Sequence, residues 1–180
     1  MMRRINVIDL DSTLLPYDSF GWLVKSELKK FDLFVWWFFV LRVLRLASSL
    51  EFKKAMTLHW LKKYDDDFLD NYANKIYKDL DKKVLELVDS NTLTDTINVL
   101  LSASPDLYVQ KVAKLLKWTG RGSYFDKESF VNLYSQEKVN WISTKYPLSE
   151  YEYYFAISDS ESDNKLLDIF KKSILWKNDK

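Results

Sequence analysis

The sequence contains no cysteine, a single histidine, three prolines and three glycines in 180 residues. Without cysteine there can be no disulfide, no thiolate nucleophile and no cysteine-based zinc site. With His59 as the one imidazole, catalysis would rest on carboxylates, hydroxyls, lysines or a metal ion, which excludes most catalytic triads. Charge of one sign is scarce too. Against 27 Lys and Arg stand 26 Asp and Glu, so no long-range field draws the whole molecule onto nucleic acid, and nucleic acid is not an expected partner. No apolar run reaches the about 20 residues that a bilayer span needs. Met1-Met2-Arg3-Arg4 leads into a strand rather than a secretory apolar segment, and a cytoplasmic location is the expectation.

What is present is a core-forming composition, 47% hydrophobic, enough for one domain with room for an insertion. The chain opens with an apolar run, Ile5-Asn6-Val7-Ile8, that leads directly into Asp9-Leu10-Asp11. Such a run reads as a buried parallel strand, and its carboxyl end is where open α/β sheets place their ligands. From Asp18 to Ser90 the pattern is helical, with no proline and only Gly21 as glycine. Four helices are expected there, over residues 19–30, 31–46, 50–63 and 66–88. After Asn91 strand and helix patterns alternate. Strands are expected at 96–101 and 153–157, a β-rich stretch at 123–134, helices at 105–118, 136–145 and 162–172, and a last strand at 174–176. This alternation means a parallel sheet covered by helices, an α/β domain made of residues 1–17 and 91–180 with residues 18–90 inserted.

The strand ends carry the chemically capable residues. Asp9 and Asp11 follow the first, with Thr13 after them. Ser102 closes Thr96-Ile97-Asn98-Val99-Leu100-Leu101, with Ser104 as a competing hydroxyl two residues on. Asp159 and Asp163 follow Phe155-Ala156-Ile157-Ser158, and between these last two strands Lys138 stands at the front of a helix, with Lys127 and Lys145 as alternatives. In order, D-x-D-x-T, a strand-end serine, a lysine and D-x-x-x-D resemble the four motifs of the haloacid dehalogenase superfamily of phosphohydrolases. The insertion after the first motif resembles the helical cap of its phosphoserine phosphatase-like subfamily. More loosely, the chain looks like the bacterial phosphatidylglycerophosphate phosphatase branch.

That resemblance implies a Rossmann-like core with an inserted helical cap, and a phosphatase. Asp9 would be the nucleophile forming an aspartyl phosphate, Asp11 the acid/base, Ser102 the phosphoryl-binding hydroxyl and Lys138 the balancing cation. Mg²⁺ would be held by Asp9, Asp159 and the Asp11 carbonyl, with Thr13 and Asp163 in support. The chemistry needs those cations, because a carboxylate approaching a phosphomonoester meets repulsion of about 4 kcal/mol per charge pair at intermediate dielectric. Mg²⁺ also favours such oxygen donors. The family commonly has glycine where this chain has Ser12 and Ser158, which leaves every catalytic group in place. A phosphotransferase using the same intermediate, or a non-catalytic interaction module that keeps the fold, are the competing functions.

The segment 31–46 is apolar without a break from Leu33 to Leu41. Three arrangements satisfy it: a central helix packed on every side, a homodimer contact, or a peripheral membrane contact with its tryptophans at headgroup depth. The substrate is accordingly a phosphorylated small molecule or a lipid phosphate, with Arg42, Arg45 and His59 as candidate substrate contacts from the cap.

Overall fold

A computed structural model describes residues 2–177. Six strands form one sheet: β1 (Arg3–Ile8), β2 (Thr96–Pro105), β3 (Thr119–Asp126), β4 (Ser129–Val131), β5 (Tyr151–Ser158) and β6 (Lys172–Leu175). Their order is β4-β3-β2-β1-β5-β6, parallel throughout except for the β3–β4 hairpin. The chain leaves β1 for β2 on one side and returns to β5 on the other. A crevice therefore opens at the carboxyl end of β1, where the strand order reverses.

Side-chain alternation gives the sheet two cores. Ile8, Leu100, Phe155 and Ile157 face one side and pack with Tyr108, Val109 and Val112 of α6 (Asp106–Leu115). Ile5, Val7, Val99, Leu101 and Ala156 face the other and meet Ile142 of α7 (Gln136–Lys145) and Leu166 of α8 (Asn164–Leu167). Strands buried on both faces read as nearly continuous apolar runs, and these do apart from Asn6 and Asn98, which pair with each other as Asn6 Nδ2 donates to Asn98 Oδ1 at 3.0 Å. The architecture is α/β with a Rossmann-like, mainly parallel sheet.

Between β1 and β2 lie five helices: α1 (Ser19–Lys29), α2 (Leu33–Val43), α3 (Ser49–Lys63), α4 (Asp66–Lys78) and α5 (Lys82–Ser90). Each has an Asp or Ser cap, from Asp18, Asp32, Ser48, Asp65 and Asp81. The single helix expected over 66–88 is two. Asp81 caps a new helix by accepting from Lys83 N–H, while its own N–H donates to Leu14 O at 2.8 Å. Strand β3 begins at Thr119 rather than 123. Lys117, with φ 59°, turns the chain sharply out of α6, and Gly120 lies where a Cβ would come within 2.4 Å of Ala113 Cβ. Helix 162–172 shrinks to one tight turn at Glu161–Asp163 plus α8, because Lys171 N–H already donates to Tyr153 O and the chain joins the sheet at Lys172. Helix α2 is not packed on every side. Only Val35 is fully buried in it, because α2 lies over α1 and α3 and, among the described residues, none covers its outer face.

Candidate active site

Asp9 directly follows β1, and its N–H donates to Ile157 O at 3.0 Å, which carries the first carboxylate into the crevice beside β5. The next turn is closed by Leu14 N–H to Asp9 O and Leu15 N–H to Leu10 O. Ser12 occupies the left-handed region at φ 56°, a conformation that costs a non-glycine residue about 1 kcal/mol. The turn brings Thr13 back under Asp9. Its hydroxyl lies 3.4 Å from Asp9 Oδ2 and 3.3 Å from Asp159 Oδ1, and accepts from Asp159 N–H at 2.8 Å. One hydroxyl thus stands between two carboxylates from different strand ends.

The other oxygen of Asp9 accepts from Lys138 Nζ at 2.6 Å, and the same ammonium donates to Asp163 Oδ2 at 2.6 Å. All three groups are buried. Ser158 donates to Asp163 Oδ2 at 2.7 Å, so a serine in a glycine position supplies a bond that glycine cannot. Burial pushes the Asp9 carboxyl up to about 7, against the pull of Lys138 and helped by the charge of Asp163. Burial works against the Lys138 charge, but Asp9 and Asp163 outweigh it and raise the ammonium's pKa.

Asp11 faces the serines. Ser19 N–H donates to its Oδ1 at 2.7 Å, Ser104 Oγ to its Oδ2 at 2.5 Å, and Ser102 Oγ to Oδ2 at 3.3 Å. Ser104 N–H in turn donates to Ser102 Oγ at 3.0 Å. The two hydroxyls act as a pair because β2 runs on to Pro105, with an irregularity in its pairing after Leu101, instead of ending at Ser102. Burial raises the pKa of Asp11, opposed by the bonds from Ser104 and Ser19, and it raises that of Asp159 as well.

These groups line a cavity of about 410 Å³ that holds Asp9, Asp11, Ser102, Ser104, Lys138, Asp159 and Asp163 in its walls. The expected core residues are therefore together; Thr13 lies beneath them. Lys53 of α3, which belongs to none of the four motifs, also reaches this cavity. Its Nζ donates to Ala103 O at 3.0 Å and to Asn132 Oδ1 at 3.2 Å, and burial lowers its pKa. The signal was present: Lys53 continues the buried stripe of Met56 and Trp60 at spacings of three and four, a cation where a helix face is otherwise apolar.

Arg42, Arg45 and His59 do not line the cavity. The arginines are exposed at the C-terminal end of α2. His59 Nε2 lies 2.9 Å from Asp32 Oδ2 and its ring stacks on Phe34, so the lone histidine ties α3 to the cap of α2. A larger groove of about 910 Å³ between α3, α6 and β3 is lined by Thr57, Leu107 and Trp118, and none of the expected residues reaches it.

The donor set suits a small hard cation. Among the described residues no three His, Asp or Glu side chains converge to hold a metal by themselves. Asp9 and Asp159, joined through Thr13, offer two carboxylates, and Mg²⁺ usually takes only a few protein ligands, completing its shell with carbonyl, water and substrate oxygens.

The profile of the haloacid dehalogenase-like hydrolases matches residues 7–168. Among solved structures, the fold is similar to that of a Bordetella pertussis Tohama I protein with unknown function (TM-score 0.67, 16% identity, covering 96% of this chain and 89% of that one). It is also similar to a phosphoserine phosphohydrolase-like protein from Francisella tularensis (0.50, 13%, 97% and 95%). A phosphoserine phosphatase in its apo form compares likewise (0.51, 14%, 97% and 94%). Among curated proteins no sequence matches this one. With a match over most of its length, and with a carboxylate pair at the switch point of the sheet, the chain belongs to the haloacid dehalogenase-like hydrolases.

Proposed function

We propose that this chain is a Mg²⁺-dependent phosphomonoester hydrolase working through an aspartyl phosphate on Asp9. The observation that carries the proposal is Asp9 itself: a buried carboxylate at a cavity wall, with one oxygen bound to Lys138 and the other beside Thr13 and Asp159. Bound at Asp9, Asp159 and the Asp11 carbonyl, Mg²⁺ would neutralise charge on the phosphoryl group and favour the ionised form of Asp9. In the first step an Asp9 oxygen forms a bond to phosphorus as the bond to the leaving oxygen breaks, and Asp11 delivers its proton to that oxygen. In the second, Asp11 takes a proton from water as the water oxygen attacks phosphorus, which frees Asp9 and inorganic phosphate. A carboxyl whose pKa is raised by burial suits the donor role, and Ser102 and Ser104 orient it. Lys138 keeps Asp9 aimed and offsets phosphoryl charge, with Asp163 and Ser158 fixing the ammonium.

Residues 18–90 act as the cap that selects the substrate; Asp18, Phe20, Ser49 and Lys53 are its contribution to the cavity wall, and Lys53 is the cation among them. A soluble phosphomonoester is the primary substrate class. A lipid-borne phosphate is the second reading, favoured by the exposed apolar face of α2. The test is phosphate release from a panel of aryl, amino-acid and lipid phosphates with Mg²⁺ or with EDTA. Release that needs metal supports the proposal; silence across the whole panel overturns it in favour of a non-catalytic interaction module.

A further inference from the structure

Helix α2 exposes an apolar surface that none of the described residues covers. Its inner side is thin: Val35 is buried, Phe34 stacks on His59 at 4.5 Å between ring centroids, and Phe38 and Phe39 lean on the core. Trp36 is tied inward by its indole N–H, which donates to Leu28 O at 3.0 Å. On the outer side Leu33, Trp37, Val40 and Leu44 succeed one another at spacings of four, three and four, and are 83%, 63%, 41% and 61% exposed. Phe31 and Leu46 extend the patch beyond both ends, and exposed Val43 flanks it.

Charge decides what fits this face. From Leu33 to Leu50 there is no carboxylate, and the two charges are Arg42 and Arg45. The acidic groups on the neighbouring elements are already engaged. Glu27 of α1 is bound by Lys30 and Lys63, Asp32 by Lys63 and His59, and Glu51 of α3 accepts from Ser48 N–H. Between Ser19 and Lys63 nine Lys and Arg stand against three carboxylates, in a chain whose net charge is +1. The excess positive charge is thus concentrated on the three helices that carry the apolar face. A second copy of the chain would set two such cationic surfaces against each other.

We propose that the Leu33–Trp37–Val40–Leu44 face of α2 docks on an anionic lipid bilayer, with the helix lying in the plane of the interface. At 11 residues α2 is about 16 Å long, about half a hydrocarbon core, and no helix among the described residues is long and apolar enough to span one. The four outer residues enter the boundary between headgroups and acyl chains, where an indole such as that of Trp37 is favoured. Arg42 lies seven residues from Val35, on the side away from the inserted face, and Arg45 follows the end of the helix; both act on an anionic surface through the positive field they add beside the patch.

The experiment is co-sedimentation of the full chain with phosphatidylcholine vesicles, with and without about one third phosphatidylglycerol. The expected result is binding to the anionic vesicles, lowered about tenfold or more in Leu33→Glu/Trp37→Glu. Arg42→Ala/Arg45→Ala should lose several-fold on anionic vesicles and little on neutral ones. Circular dichroism and thermal melting show that the variants are folded, and this readout stands whether or not the chain proves to be a phosphatase. An intact protein that stays in solution with both vesicle types overturns the proposal. So does a dimer in sedimentation velocity that Trp37→Glu converts to monomer, since a second copy would then cover the face.

Discussion

Two clusters in this molecule are made of the same parts, two carboxylates around a lysine, yet their electrostatics run in opposite directions. In the sheet crevice, Asp9 and Asp163 flank Lys138, and burial raises Asp9 together with its neighbours Asp11 and Asp159. In the helical insertion, Glu27 and Asp32 flank Lys63. There burial pulls upward as well, but the bonds from Lys63 to both carboxylates and from His59 to Asp32 prevail, and both carboxyls are lowered. The insertion cluster is satisfied with its carboxylates ionised, which is the state of a structural clasp between α1, α2 and α3. The crevice cluster has more carboxylate than cation and faces a cavity, an arrangement that fits the proposed positively charged ligand.

Removing the lysine from each cluster breaks the comparison most sharply. Lys138→Met leaves Asp9 and Asp163 buried without their cation. A loss of about 3–5 kcal/mol in urea unfolding is expected, with phosphate release falling to background. Lys63→Met removes a partly exposed lysine, and about 1 kcal/mol with unchanged kinetics is the expected outcome. Equal losses from the two variants would erase the distinction.

The next effect concerns the one cation that the insertion lends to the cavity. If the cavity holds the substrate as proposed, Lys53→Met should lower kcat/KM about tenfold, mainly through KM, because the ammonium lines that cavity apart from the groups assigned to the bonds that break. A fall confined to kcat would assign Lys53 to the chemistry instead.

The smallest effect lies in pH. Because Asp32 is lowered when folded, its contribution is fully present above the ordinary aspartate pKa of about 4 and is lost as pH falls below it. Asp32→Asn should therefore be less stable than the parent at neutral pH by about 1 kcal/mol, and the gap should close on acidification. Thermal melts across that range check it; a gap that widens in acid contradicts the clasp.

Much of this architecture is legible in the sequence because it is local. Asp9 and Asp11 follow an apolar strand directly, and Asp159 and Asp163 follow another, so a register of a few residues fixes where they lie. Ser104 and Lys53 depend on what other elements do. The serine joins Ser102 only because β2 continues past Leu101, and Lys53 meets Ala103 and Asn132 only when α3 crosses the crevice. The break at Asp79–Asp81 was hidden because two capped helices in tandem carry the same periodicity as one. An unbroken apolar run such as Leu33 to Leu41 has no polar face, so its pattern cannot say which side is inward; packing on Val35 decides that. His59 went to the clasp because Asp32 lies 27 positions before it in the chain and 2.9 Å away in space.

The central claim is a covalent phosphoryl group on Asp9. The most direct test is to mix the intact protein with an aryl phosphate and Mg²⁺, quench in acid within the first turnover, and weigh the peptide that carries residues 5–15. The expected result is the added mass of one phosphoryl group on Asp9, present with Mg²⁺, absent with EDTA and absent in Asp9→Asn. Metal-dependent turnover with that peptide never labelled, or turnover that survives Asp9→Asn, would contradict the account.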